Sequence, residues 1–124
     1  MDSREWHAFD VQEHPDVFPQ TCFHLSRISM ETGVPVHKAI LSVMQPGAHI
    51  QPHCGPTNAR LRVHLALRIP PGTALRVGTE TRSWQQGRAF VIDDSFEHEA
   101  WHNGTEPRVV LILEFPHPDV SFSS

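Results

Sequence analysis

Arg60-Leu61-Arg62-Val63-His64-Leu65-Ala66-Leu67 decides the fold class, because charged and apolar side chains alternate along it almost one for one. Successive side chains of a strand point to opposite faces. A period of two therefore makes this stretch a β-strand, with Arg60, Arg62 and His64 on one face and Leu61, Val63, Leu65 and Leu67 on the other. A cationic row on a solvated face carries little meaning, but this row has a telling neighbour. Just before it lies His53-Cys54-Gly55-Pro56-Thr57-Asn58, whose turn chemistry brings His53 close to the start of the same strand.

Working outward, the runs His37 to Gln45, Ala74 to Val77 and Arg88 to Ile92 are separated by Pro46-Gly47, Pro70-Pro71-Gly72, Gly87 and Asp93-Asp94-Ser95. Short strands at regular spacing, broken by Gly, Pro and Asp, predict an antiparallel all-β sandwich or barrel, of which the jelly roll and its cupin-like relatives are one variety. No segment shows a convincing helical stripe. Residues 1–20 hold Pro15 and Pro19 and no clear period, so an irregular N-terminal lead-in is expected, with one early strand near Thr21 to Ser26. Towards the other end, Phe96 to His102, Asn103-Gly104 and Arg108 to Phe115 read as strand, hairpin turn and strand. Pairing symmetric about residue 103 sets His98 opposite Arg108, an odd pair unless an anion or a metal lies between them.

The chain's 124 residues fit one domain, 1–124, with a motif-bearing core from about 37 to 118. It carries net charge -4, 39% hydrophobic residues and no apolar run of membrane length, so neither nucleic acid nor a membrane is implied as a partner. Met1 to Asp10 lacks the apolar core of a secretory signal, and a cytoplasmic location is expected. Cys22 and Cys54 lack CxxC spacing and read as two free thiols. Ten histidines stand against the single lysine, Lys38. That enrichment raises a metal hypothesis, although His7, His14, His24 and His102 read as surface residues.

His53 and His98 can serve one metal where a loop and a strand converge, and imidazole suits iron(II), zinc or copper. Non-haem iron sites commonly add a carboxylate two residues after the first histidine. Gly55 occupies that place here, leaving positions for cosubstrate and oxygen, with Asp93 or Asp94 the less favoured alternative ligands. A dianion such as 2-oxoglutarate needs a buried cation. Arg108 offers a planar fork for its distal carboxylate, with the Ser42 hydroxyl to assist and Arg60 and Arg62 left to grip an acidic substrate.

His53-Cys54-Gly55-Pro56-Thr57-Asn58-Ala59-Arg60-Leu61-Arg62-Val63-His64-Leu65 resembles the first signature of the aspartyl/asparaginyl β-hydroxylases. Trp84-Gln85-Gln86-Gly87, Asp93-Asp94-Ser95-Phe96-Glu97-His98-Glu99-Ala100-Trp101, Arg108 and Phe115-Pro116-His117-Pro118 follow that family's order and spacing. The resemblance runs from about Ser42 to Pro118. It implies a double-stranded β-helix in which His53 and His98 bind Fe(II) without a carboxylate ligand, and in which Arg108 and Ser42 hold 2-oxoglutarate. It further implies that His64 touches the cosubstrate, that Arg62 lies near cosubstrate or substrate, and that Arg60 lies near the substrate carboxylate. The implied activity is an O2-dependent hydroxylation of an aspartyl, asparaginyl or related amino-acid group, free, peptidyl or carrier-bound, releasing succinate and CO2. Animal members of the family act on EGF-like domains and carry a helical-repeat domain, of which no counterpart is read here.

Two rival functions remain at this level. A halogenase would use the space at Gly55 for chloride, and a non-enzymatic cupin-like module would hold a metal or a small acid without turnover. Blander residue roles also have to be weighed. Arg108 can be a surface strand residue paired with Glu99 or Glu114. Trp84 and Trp101 are expected to fill the core, and Cys54 to be a small buried side chain.

Overall fold

The computed structural model describes residues 6–34, 36–54, 60–93 and 96–116, with the backbone alone described at 6, 53 and 60. In chain order its strands are β1 (Trp6–Asp10), β2 (Lys38–Met44), β3 (His49–His53), β4 (Arg60–Arg68), β5 (Thr73–Val77), β6 (Glu80–Arg82), β7 (Ala89–Ile92), β8 (His98–His102) and β9 (Arg108–Pro116). They form a five-stranded sheet in the order β1-β2-β9-β4-β7 and a four-stranded sheet in the order β3-β8-β5-β6. Every ladder is antiparallel. This is the two-sheet, jelly-roll type of sandwich that the strand spacing predicts.

Alternation explains what each strand buries. On β9, Arg108, Val110, Ile112 and Glu114 are buried while Val109, Leu111 and Leu113 are only half-buried. On β4 the residues turned towards the second sheet include Arg62, His64 and Ala66, so Arg62 and His64 of the polar row line the interior. Met44, Ala66, Leu75, Trp84, Ala100, Val110 and Ile112 close the apolar core behind that row. No helix among the described residues is long and apolar enough to cross a membrane.

The N-terminal stretch is more ordered than its sequence suggests. Instead of an irregular lead-in with a strand at Thr21 to Ser26, it forms β1, a 3-10 turn over Val11–Glu13 and the helix α1 (Pro19–Thr32). Pro19 reads as a breaker but stands in the first turn, where its missing N–H costs nothing. Gly33 ends the helix with φ 71°, a left-handed conformation that favours glycine. Phe18, Cys22 and Leu25 make a narrow stripe packed with Val11 against Ala39, Leu41, Leu111 and Leu113 of the five-stranded sheet. Exposed Phe23, Ile28 and Met30 blur that stripe, which is why no helical period stands out.

The expected hairpin from Phe96 to Phe115 does not form. β8 pairs with β3 and β5, whereas β9 pairs with β2 and β4, so His98 stands opposite His53 and Val77, and Arg108 opposite Met44. The connecting residues cross from one sheet to the other. His102, far from being a surface residue, is fully buried there: its Nδ1 accepts from the Gly104 N–H at 3.0 Å and its Nε2 donates to the Glu106 carbonyl. The Asn103 N–H donates to the Gly72 carbonyl at 2.8 Å. A Cβ on Gly104 would overlap the Pro71 carbonyl oxygen and come within 2.8 Å of the His102 ring. Gly104→Ala is therefore expected to lower the unfolding free energy by about 1–3 kcal/mol through overpacking. The reading is a lower urea midpoint at unchanged slope; an unmoved midpoint would show that the crossing is not tightly packed.

Candidate active site

The two sheets enclose a cavity of about 310 Å³. Ser42 from β2, Gln51 from β3, Arg62 and His64 from β4, His98 from β8 and Arg108 from β9 supply its polar wall, and Trp84 with aliphatic side chains supplies much of the rest. The size matches the lower end of small-molecule sites.

Arg108 is the most unusual of these residues. It is only 2% exposed, and its guanidinium Nη2 donates to the Ser42 hydroxyl at 2.6 Å. The Trp84 ring centroid lies 4.7 Å from its Cζ, while its Nε is buried with no hydrogen-bond partner among the described residues. Burial lowers its pKa to about 10, which still leaves it charged at neutral pH. The paired surface arginine considered above is not what is seen. Glu114 accepts instead from Arg62, at 2.7 and 3.1 Å, and Glu99 accepts from Arg76 and His49 on the outer side of the smaller sheet. Among the described residues no carboxylate pairs with Arg108. Burying a cation without a counter-ion is costly, so this geometry is suited to an incoming anion. Arg62 also reaches the cavity, but its guanidinium is held by Glu114, its partner across the β4–β9 ladder.

His64 is 8% exposed beside this cation. The Trp84 indole N–H lies 3.2 Å from its Nδ1, and the two ring planes are nearly parallel, 6° apart. Indole only donates, so Nδ1 accepts and the imidazole proton sits on Nε2. Burial, reinforced by the charges of Arg108 and Arg62 and by His98, pushes its pKa down to about 3. Unfolded, the same group titrates near 6.5, so as pH falls the unfolded chain takes up the proton first. Stability from His64 is full above about pH 6.5 and is lost progressively towards about pH 3, at up to about 1.4 kcal/mol per pH unit. Urea midpoints from pH 7 to pH 4 should fall more steeply for the wild type than for His64→Gln. Parallel profiles would mean that the buried imidazole is not kept neutral.

His98 is half-buried at the cavity, and its Nδ1 lies 2.9 Å from the Phe96 carbonyl oxygen. A carbonyl only accepts, so Nδ1 donates and Nε2 carries the lone pair, the arrangement a metal-binding imidazole needs. The backbone of His53 ends the edge strand β3 directly across the ladder from His98, after a register shift between Ile50 and His53. Cross-strand partners have Cβ atoms about 4.5–5.5 Å apart, a spacing from which two imidazoles can serve one ion. The His53 and Arg60 side chains, Gly55 and Asp94 lie outside the described residues. Asp93 is described and is not among the residues lining the cavity; its carbonyl accepts the Phe96 N–H at 3.3 Å, a turn role. Among the described residues no group of three or more His, Cys, Asp or Glu side chains forms a metal cluster.

Three smaller expectations change. Cys54 is exposed rather than buried, although both cysteines are free. Trp101 is half-buried and alternates onto the outer face of β8 rather than into the core. Trp84 does fill the core, but it also touches Arg108 and His64, a role that no periodicity signals.

Comparison with known proteins gives consistent results. A sequence model described as aspartyl/asparaginyl beta-hydroxylase matches residues 4–118. The mouse protein of that name is 43% identical over 104 residues, covering 83% of this chain and 14% of its own length. Mouse aspartate beta-hydroxylase domain-containing protein 2 is 38% identical over 130 residues, covering 96% of this chain and 38% of its own. The chain thus spans well under half the length of these relatives. Among solved structures, a cupin domain of Schizosaccharomyces pombe Cnp3 superposes with a TM-score of 0.55 at 14% identity, over 67% of this chain and 58% of that one, which speaks for the fold alone.

Proposed function

The chain belongs to the aspartyl/asparaginyl β-hydroxylase family, and from that membership we propose that it is an Fe(II)- and 2-oxoglutarate-dependent hydroxylase. The substrate proposed is an aspartyl, asparaginyl or related amino-acid group, free, peptidyl or carrier-bound. The observation that carries the reading is Arg108, a buried guanidinium with an orphaned Nε and no carboxylate partner among the described residues.

Both groups fit the residues present. His98, with its lone pair on Nε2, and His53 across the ladder would hold the iron. Arg108 and the Ser42 hydroxyl would hold the distal carboxylate of 2-oxoglutarate. Metal and cosubstrate together would supply the oxygen chemistry, in which 2-oxoglutarate and O2 give succinate and CO2, one oxygen atom entering succinate and the other hydroxylating a substrate C–H. The protein's own part is binding and orientation. Arg108 fixes one end of the dianion by charge-assisted hydrogen bonds, which are roughly twice as strong as neutral ones. His64, neutral and protonated on Nε2, adds a donor without adding charge. Glu114 neutralises Arg62, so its charge is not added to those that Arg108 and the iron would set against the dianion. The aliphatic wall keeps water from competing for these donors.

Anaerobic titration of the iron(II)-loaded protein with 2-oxoglutarate tests the reading through the visible charge-transfer band of a chelated iron centre. Its appearance supports the hydroxylase assignment. Its absence at saturating cosubstrate would move the non-catalytic binding module ahead.

A further inference from the structure

We propose that Trp84 is a positioning residue: its indole N–H locks His64 into the tautomer protonated on Nε2, so that the cavity wall presents a hydrogen-bond donor beside Arg108. That this donor serves 2-oxoglutarate rests on the function proposed above; the tautomer does not.

Three observations carry the inference. Trp84 is 3% exposed and packed in the core, so its ring has little freedom to turn away. Its Nε1 lies 3.2 Å from His64 Nδ1, and a group that can only donate forces the facing nitrogen to accept. Its ring face meanwhile rests 4.7 Å from the Arg108 guanidinium carbon, so one side chain touches both the cation and the imidazole of the cavity wall. Phe90, which also meets the His64 ring with centroids 5.6 Å apart, offers no polar atom and cannot choose between tautomers. Were the proton on Nδ1 instead, the indole would face a second donor, and Nε2 would offer an anion a lone pair where it needs a hydrogen.

The tautomer is readable directly. In protein carrying 15N-labelled histidine, the His64 signals are identified by their loss in His64→Gln. At neutral pH the wild type should show an unprotonated Nδ1 and a protonated Nε2. Trp84→Phe keeps a ring in the core but removes the donor, and both nitrogens should then shift towards values averaged over the two tautomers. Replacement of Trp84 by benzothienylalanine, which keeps the bicyclic shape and lacks only the N–H, should give the same shifts and covers any packing defect left by phenylalanine. Affinity for 2-oxoglutarate, measured on the iron(II)-loaded protein without oxygen, should fall about two- to tenfold, the range for one neutral hydrogen bond. The same replacement made in the His64→Gln background should cost little more. An unchanged tautomer in both replacements overturns the proposal, as does a changed tautomer with undiminished affinity. Should the wild type bind no 2-oxoglutarate at all, the proposed function fails, while the nitrogen shifts still decide whether Trp84 sets the tautomer.

Discussion

Arg108→Met is expected to weaken 2-oxoglutarate binding by about two to three orders of magnitude while leaving the chain folded. Truncating one member of a buried, hydrogen-bonded charge pair costs about 2–5 kcal/mol. At about 1.4 kcal/mol per decade, the middle of that range gives the stated loss. Methionine suits the position because its unbranched, adaptable chain can fill much of the space over Trp84. The ligand-free protein should respond in the opposite sense. Arg108 is buried without a carboxylate among the described residues, and replacing such a cation by an apolar group is often neutral or stabilising. Melting curves with and without cosubstrate separate the two effects: the variant alone should melt at or above the wild-type temperature, and added 2-oxoglutarate should no longer raise it. An equal ligand-induced rise in both proteins would remove Arg108 from the site. Arg108→Lys should recover only part of the affinity, because an ammonium cannot reproduce the planar fork.

His98→Ala is expected to reduce iron(II) affinity by at least about a hundredfold. Losing a partner outside the ligand set already costs about 10- to 100-fold, and loss of a ligand exceeds that. The β8 backbone keeps its ladders to β3 and β5, so the change should remove a ligand rather than a strand. His49→Ala is the natural control, since His49 lies on the other face of the same sheet and meets Glu99 at 2.9 Å. Iron content after anaerobic dialysis should be retained by His49→Ala and lost by His98→Ala. Equal retention would place the metal elsewhere.

What was legible in the chain follows its physics closely. On β4 a period of two can be read because alternate side chains meet different surroundings, and the fold class follows from it. The N-terminal helix escapes because its buried stripe is only Phe18, Cys22 and Leu25, set among exposed apolar side chains. The partition of β8 and β9 between sheets was hidden for another reason. A short loop opening on Asn103-Gly104 looks the same whether it closes a hairpin or crosses the sandwich, and contacts with Pro71 and Gly72, some thirty residues away, decide the matter. The residues of the cavity were legible as types, while their mutual arrangement was not. His98 and Arg108 line one cavity from different sheets rather than standing along one ladder. Trp84 belongs to neither pattern, because a single aromatic outside any strand carries no period to read.

The division of the cavity wall has a mechanical consequence. Ser42, His64 and Arg108 belong to the larger sheet, while His98 and the backbone of His53 belong to the smaller one. On the proposed function, a cosubstrate held by its distal carboxylate on one sheet and by metal on the other would act as a rivet of limited length between two plates. The thickness of the apolar filling, set by core residues outside the cavity lining such as Met44, Ala66 and Val110, would then gauge how far the reacting end stands from its anchor. Side chains that never touch the cosubstrate would thereby help to set the alignment of the reaction.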